Sequence, residues 1–446
     1  MKMKKLLACV LSAGILFSLA ACGENGNGGL SELPTYEQDK EFLIGGWDVP
    51  PDTEDAFRIA SEMGLTFMFM NATFAGYGTD RYREMIATAG EQGVKSMLMF
   101  GNGQNQPQNA YEWAAAYKDD PNVIGVNYWD EPSVPTLDST IKEFAEWHDM
   151  QFVGTDKSFY VNLYPTYVSS DVLKGSYDEY LETYAEIVAG AETGTSWISV
   201  DYYPLKLAAS GSTVDTGWLG NLEMLAKVRK DSDIDTFHSF LLSTQHMDYR
   251  EIEEEDLRYQ AWVNMAYGVN AMTYFTYRKS LNESFSTALV DMQGNPTDKY
   301  YDAQQVNKEL HAMENVYLSF DWEGVYTVTG SQNEYVDANG VSDYFRRLQY
   351  SLNSLEGVKS VEATQDTLIG QFRDAEGNKG FVVANFADPY YGKESADTVT
   401  INFEHANRAI ICRGTDVKTY EVTDNTLTLN LQAGEGAFVV PVWLNR

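Results

Sequence analysis

Two short stretches carry the residues that could do chemistry. In 123–132 an apolar run ends in Trp129-Asp130-Glu131-Pro132. In 197–204 another ends in Asp201-Tyr202-Tyr203-Pro204. Each places carboxylates and aromatic rings where a buried strand runs out, and each is stopped by a proline, which has no N–H for a sheet ladder. A buried carboxylate keeps its proton to higher pH, and an adjacent acid raises it further, so Glu131 beside Asp130 suits a proton donor. Asp201 is the second carboxylate, or a residue that caps the loop after it. For Glu131 the proton donor is the favoured reading, and a strand-end ion pair with a neighbouring loop Arg or Lys is the alternative.

These residues need a scaffold that brings strand ends together. Eight apolar runs recur, at 42–47, 66–71, 96–100, 123–129, 159–163, 197–201, 237–242 and 271–275. Amphipathic stretches separate them, with acids and caps at helix starts (Thr53, Asp55) and glycines at helix ends (Gly64, Gly93, Gly268). Unalternating buried strands that alternate with helices make a parallel sheet covered on its outside. Eight units fit an α/β fold, a (β/α)8 TIM barrel. After a helix over 300–313 the texture changes to alternating strands at 324–328, 368–372, 380–386, 398–403, 426–431 and 437–442, punctuated by Gly, Asn and Asp. That pattern implies a C-terminal all-β sandwich. The expected organisation is a leader over 1–21, a flexible tether over 22–38, the barrel over 39–318 and the sandwich over 319–446.

In such a barrel the working face is formed by the strand C-terminal ends. Those positions hold Trp47 and Asp48, Asn71, Asn102, Trp129 with Asp130 and Glu131, Asn162 and Tyr164, Asp201 with Tyr202 and Tyr203, Gln245 and His246, and Tyr274 with Tyr277. Amides hydrogen-bond hydroxyls in both directions, and aromatic faces cover sugar rings. Two carboxylates flanking a glycosidic bond supply an acid and its partner. The rim therefore suits an oligo- or polysaccharide. The chain has only five histidines; His246 is the one that faces the site, so no metal is expected. No glycine-rich fingerprint follows the first strand, and no cofactor is expected.

The chain resembles a clan-A-type (β/α)8 glycoside hydrolase, nearest to family 42-like β-galactosidase relatives and barrel lipoproteins. Tyr128-Trp129-Asp130-Glu131-Pro132 is similar to the clan's strand-4 Asn-Glu-Pro. The stretches 255–262 and 267–275 are similar to its helix 7 and strand 8, and 380–388 and 434–442 to the sandwich that follows such barrels. The resemblance implies that Glu131 is the general acid/base. It also exposes two departures. Asp130 stands where the clan has Asn, and strand 7 ends in Gln245 where the clan has its nucleophilic Glu. Two readings follow: a hydrolase using Glu131 with Asp201, or a glycan-binding surface lipoprotein with a degenerate site. A solute-binding lipoprotein is a third, which eight regular units and a terminal sandwich disfavour.

The opening residues read as a processing signal. A basic start (Lys2, Lys4, Lys5) precedes the apolar run 6–19, too short for a membrane span, and then Leu19-Ala20-Ala21-Cys22. This resembles a bacterial lipobox, with Cys22 lipidated and the body held outside the cytoplasm on a cell or outer membrane. Of three cysteines only Cys412 lies in the body, in an apolar strand. The formal net charge is −33, which excludes a nucleic-acid partner and leaves the lipid as the membrane contact. The residues leave the sugar, the linkage and the oligomeric state open.

Overall fold

The computed structural model describes residues 30–71, 79–99, 110–190, 194–209, 211–282 and 284–445. Eight parallel strands form its first layer: β1 (Leu43–Gly46), β2 (Phe67–Met70), β3 (Lys95–Met99), β4 (Val123–Asp130), β5 (Ser158–Asn162), β6 (Trp197–Val200), β7 (Thr236–Leu242) and β8 (Ala271–Phe275). All eight expected runs are strands, with ends differing by a residue or two. The ladder order is β5-β4-β3-β2-β1-β8-β7-β6. Parallel bridges Phe159–Ser196 and Leu163–Val200 join β5 to β6 and close the barrel.

The interior is packed with rings rather than aliphatic side chains. Phe67, Phe69, Tyr160, Trp197, His238 and Phe240 touch one another mostly edge-on or tilted, with Phe69 and Phe240 stacked, at centroid distances of 5.0–6.4 Å. Gly45 makes room for them: a Cβ there would lie 2.4 Å from Thr273 Oγ1 and 2.5 Å from the Phe67 ring. Such rings bury large apolar area, and their polar tips must find partners inside. Those partners become important at the site.

The helix Asp298–Tyr317 closes the barrel layer, three residues before the sandwich begins. The sandwich has a six-stranded antiparallel sheet, β9 (Phe320–Val328), β11 (Thr367–Asp374), β12 (Lys379–Asn385), β17 (Gly436–Val442), β14 (Arg408–Arg413) and β15 (Asp416–Glu421) in spatial order. It packs on a three-stranded sheet, β10 (Val358–Ala363), β13 (Asp397–Phe403) and β16 (Thr426–Leu431). The strands β10 and β15 have no counterpart in the sequence reading, because β15 is exposed along its whole length and β10 along much of it, so neither shows an apolar alternation.

The larger sheet lies on the barrel helix Glu254–Ala266. Gly436 meets Trp262, where a Cβ would approach to 2.5 Å. Trp322 donates its indole N–H to the Ala266 carbonyl at 2.9 Å. Arg250, almost fully buried, pairs with Asp256 of that helix and with Asp388 of the sandwich at 2.6 Å. The first described residues belong to this body: Leu30 donates to the Trp443 carbonyl at 2.7 Å and accepts from Asn445 at 2.9 Å. The expected tether is thus fastened to the sandwich from Leu30 onward. Cys22 and Asn102 lie outside the described residues.

Candidate active site

The site is built on three neighbouring strands. In β4 the ladder to β5 skips a residue between Asn127 and Trp129. This bulge breaks the alternation of faces. Tyr128 and Trp129 both pack against Phe144 of the outer helix, at 5.5 and 6.4 Å, and Asp130 turns in. Trp129, expected to bind substrate, is therefore placed against the helical layer. Glu131 then adopts φ = 57°, a left-handed conformation that a side-chain-bearing residue rarely takes without constraint from its surroundings. Its N–H donates to the Asn162 carbonyl at 2.9 Å, which holds the turn. Successive strand residues normally point to opposite faces. Here the turn at Glu131 leaves its carboxyl close enough to Asp130 for that charge to raise its pKa.

Asn162, at the end of β5, sits between two acids. Its amide nitrogen donates to Asp130 Oδ1 at 3.1 Å and to Asp201 Oδ1 at 3.0 Å. Its amide oxygen accepts from the Ser199 hydroxyl at 2.9 Å. Beneath it runs a buried chain: Ser199 Oγ lies 2.7 Å from the Tyr160 hydroxyl and 2.8 Å from His238 Nδ1, and His238 Nε2 lies 2.8 Å from Thr273 Oγ1. None of Tyr160, Ser199, His238 and Thr273 was singled out from the sequence. The signal was available. Tyr160 and Ser199 stand two residues before Asn162 and Asp201, and in a strand that spacing returns a side chain to the same face.

Burial dominates the electrostatics. It pushes the Glu131 carboxyl up to about 7, with the Asp130 charge adding to the effect. Asp201 is raised well above the usual carboxylate range, first by burial and then by Glu131 and Asp130, against the lowering hydrogen bond from Asn162. Asp130 is raised by burial and lowered by Asn162. Glu131 and Asp201 thus behave as a pair in which the second ionisation is opposed by the first. Asp201 has an amide donor to steady its charge. At Glu131 burial acts first and the Asp130 charge second, with no hydrogen bond to offset them.

The remaining expected residues divide into two groups. Tyr164 faces the acids, and burial together with Glu131, Asp130 and Asp201 raises its phenol. Tyr203 lies beside His246, Tyr249 and Phe275 with centroids at 5.5–6.1 Å. His246 is buried and stacks on Phe285 at 4.7 Å. Trp47 packs on Phe69 and Phe240 at the top of the interior. Asp48, with φ = 69°, accepts from Thr276 Oγ1 at 3.3 Å and from Asn71 Nδ2 at 3.5 Å. Burial raises its pKa in spite of Arg278 nearby. Gln245 is half-buried, and its backbone is tied to Ser286 at 3.1 and 2.9 Å.

Three tyrosines stand apart from that rim. Tyr274 is fully buried and donates its hydroxyl to Asn307 of the outer helix at 2.7 Å. Tyr277 is fully buried, its Cβ side close to Gly46 and its phenol near Tyr300. Both were expected to bind substrate and instead belong to the seam between barrel and helix, because the residue that returns to the mouth is Phe275. Tyr202 is spent on Asp215, to which it donates at 2.9 Å. That aspartate follows a hairpin, Leu205–Ala208 and Gly211–Val214, absent from the sequence reading. Two further rings were missed. Tyr167, 58% exposed, lies edge-on to Tyr202 at 5.1 Å, and its hydroxyl reaches Tyr249.

No family model matches this chain, and no curated protein matches it in sequence. Solved structures do. A cold-adapted β-galactosidase from Rahnella sp. R3 aligns over 91% of this chain and 99% of its own, with a TM-score of 0.52 at 11% identity. A β-galactosidase from Bacillus circulans sp. alkalophilus aligns over 91% and 100%, with a TM-score of 0.50 at 9% identity. A β-galactosidase from the psychrophilic Marinomonas ef1 aligns over 61% of this chain but 60% of its own, with a TM-score of 0.43 at 10% identity, so this chain spans less than two thirds of that relative. At these identities the likeness is one of fold. The chain shares the barrel-plus-β-domain fold of these two β-galactosidases, the architecture that its sequence resemblance implied.

Proposed function

We propose that the protein is a glycoside hydrolase that works outside the cytoplasm, tethered by a lipid on Cys22. Glu131 is the general acid and Asp201 the second carboxylate. The observation that carries this reading is the Glu131–Asp201 pair. Two acids on one arc of the barrel mouth are raised by burial, Glu131 further by Asp130 and Asp201 further by Glu131 and Asp130, and Glu131 is held at about 7. A donor with that pKa is still about half protonated at neutral pH and gives its proton up readily to a leaving oxygen. Three clustered carboxylates repel anionic sugars, so the substrate is a neutral glycan. Tyr164 and Tyr167 supply ring faces beside the acids.

The test is turnover on a panel of neutral oligosaccharides and aryl glycosides, with Glu131→Gln as control. Cleavage by the wild type and its loss in the variant support the reading. Gln245, at the strand-7 end, favours the second reading, a glycan-binding surface lipoprotein. Binding of the same glycans without turnover by wild type and Glu131→Gln alike would establish it. The anchor is checked separately, by incorporation of labelled fatty acid that Cys22→Ser abolishes.

A further inference from the structure

The carboxylates are gathered on one arc of the mouth. Asp130 and Glu131 end β4 and Asp201 follows β6, with Asn162 at the end of β5 between them. Strand 7 is followed by Gln245. On the far arc the described strand-end acid is Asp48, which is held by Thr276 and Asn71 and is not among the charges that shift Glu131 or Asp201. A carboxylate nucleophile has to approach the sugar from the side opposite the departing oxygen. A one-sided cluster does not offer that approach. It offers a proton donor with a hydrogen-bond acceptor next to it.

We propose that the substrate supplies the nucleophile itself, and that the site takes 2-acetamido-2-deoxyhexosides in β-linkage. This rests on the hydrolase reading above and names its substrate class. Glu131 gives its proton to the glycosidic oxygen as the C1–O bond breaks and that oxygen keeps the electron pair. The acetamide carbonyl oxygen donates a lone pair to C1, closing a five-membered oxazolinium ring. Asp201 accepts a hydrogen bond from the acetamide N–H, which makes the carbonyl oxygen more electron-rich. Water then attacks C1, the ring C1–O bond opens, and the Glu131 carboxylate takes the proton of that water. Water is the one co-reactant, and the anomeric configuration is retained. The linkage follows from geometry: the acetamide reaches C1 from the face opposite the leaving group, so the C1 and C2 substituents must be trans. Burial first, and the Asp130 charge after it, strengthen the hold of Glu131 on its proton. Tyr164 and Tyr167, whose phenols feel Asp201 and Glu131, offer an apolar face to the acetyl methyl.

The mature full-length protein is assayed with 4-nitrophenyl N-acetyl-β-glucosaminide and N-acetyl-β-galactosaminide against the matching β-glucoside and β-galactoside. The expected result is turnover of the acetamido substrates at least about 100-fold faster, the scale of an intramolecular advantage. The rate should also fall with each fluorine added to the acetyl group. Asp201→Asn should lower kcat more than it raises KM. Comparable turnover of the 2-hydroxy glycosides, or a 2-fluoroglycosyl adduct on Asp201 by intact mass, would overturn this proposal and leave the hydrolase reading standing. No turnover of either class would overturn both.

Discussion

Ser199 donates its hydroxyl hydrogen to the Asn162 amide oxygen at 2.9 Å. That bond decides which way the amide faces. With its oxygen turned into the barrel, its two N–H groups are directed at Asp130 and Asp201, one to each. The Ser199 oxygen is left to accept, so its neighbour His238 must present an N–H from Nδ1. Burial holds His238 neutral, with a pKa down at about 3, so Nε2 bears no hydrogen and accepts from Thr273. Nitrogen-15 NMR should therefore show His238 as the Nδ1–H tautomer, unchanged from pH 5 to 8. A signal from the Nε2–H tautomer would reverse the amide assignment.

The same chain makes Ser199 a positioning residue. Ser199→Ala removes the donor that fixes Asn162 and leaves both carboxylates in place. The expectation is a fall in kcat of about tenfold, on the scale of one hydrogen bond, with little change in KM. The alkaline limb of the pH–rate profile should also shift, which a purely structural defect would not produce. Asn162→Ala removes both carboxylate contacts and should cost more.

Glu131 sets the alkaline limb. Activity should fall as pH rises through about 7, because the donor loses its proton. Stability changes with the same sign. A free Glu titrates at 4.5, and the fold raises Glu131 to about 7, so the native state holds the proton more tightly than the unfolded chain. The stability this brings is complete below pH 4.5 and is lost as pH rises through 7. Glu131→Gln should therefore raise Tm at pH 8, by about 1–2 kcal/mol of stability after allowing for partial exposure and for the proton shared with Asp201. At pH 4 it should leave Tm near that of the wild type. Thermal melts at the two pH values check this.

The joint between barrel and sandwich depends on a buried cation. Arg250 is shared by Asp256 and Asp388, and Ser212 of the hairpin donates to Asp388 at 2.7 Å. Arg250→Met leaves two buried carboxylates facing each other without their cation, which costs about 3–5 kcal/mol. Limited proteolysis should then cut between the two units where the wild type resists. Adding Asp256→Leu and Asp388→Leu should recover much of the loss, since the charge left behind is the main penalty.

The barrel was legible because each of its strands is an uninterrupted apolar run, and the acids were legible because prolines mark where those runs stop. Side-chain direction was less so. Trp129 looked outward-bound for substrate until a bulge turned it toward Phe144. Tyr274 and Tyr277 carry polar tips that are absorbed by, or sealed under, the helical layer. The floor residues Tyr160, Ser199 and His238 lie mid-strand, where polarity is normally read as packing. The hairpin after β6 escaped because its residues Lys206, Ala208, Gly211 and Thr213 lack an apolar stripe.

Tyr167 is the ring best placed to meet a sugar. It stands 58% exposed, its hydroxyl is tied to Tyr249, and its edge rests on Tyr202 at 5.1 Å. A ring fixed at both ends loses little freedom when a pyranose face settles on it, so its contribution goes into binding. Tyr167→Ala should weaken binding by about 0.5–1.5 kcal/mol, a KM increase of roughly two- to tenfold, with kcat held within about twofold. Tyr167→Phe keeps the ring and loses the tie to Tyr249, so it should recover most of that affinity. Steady-state kinetics on the best substrate, or calorimetry with Glu131→Gln and the same glycan, separates the two. A Phe variant as weak as the Ala variant would place the contribution in the hydroxyl rather than in the ring face.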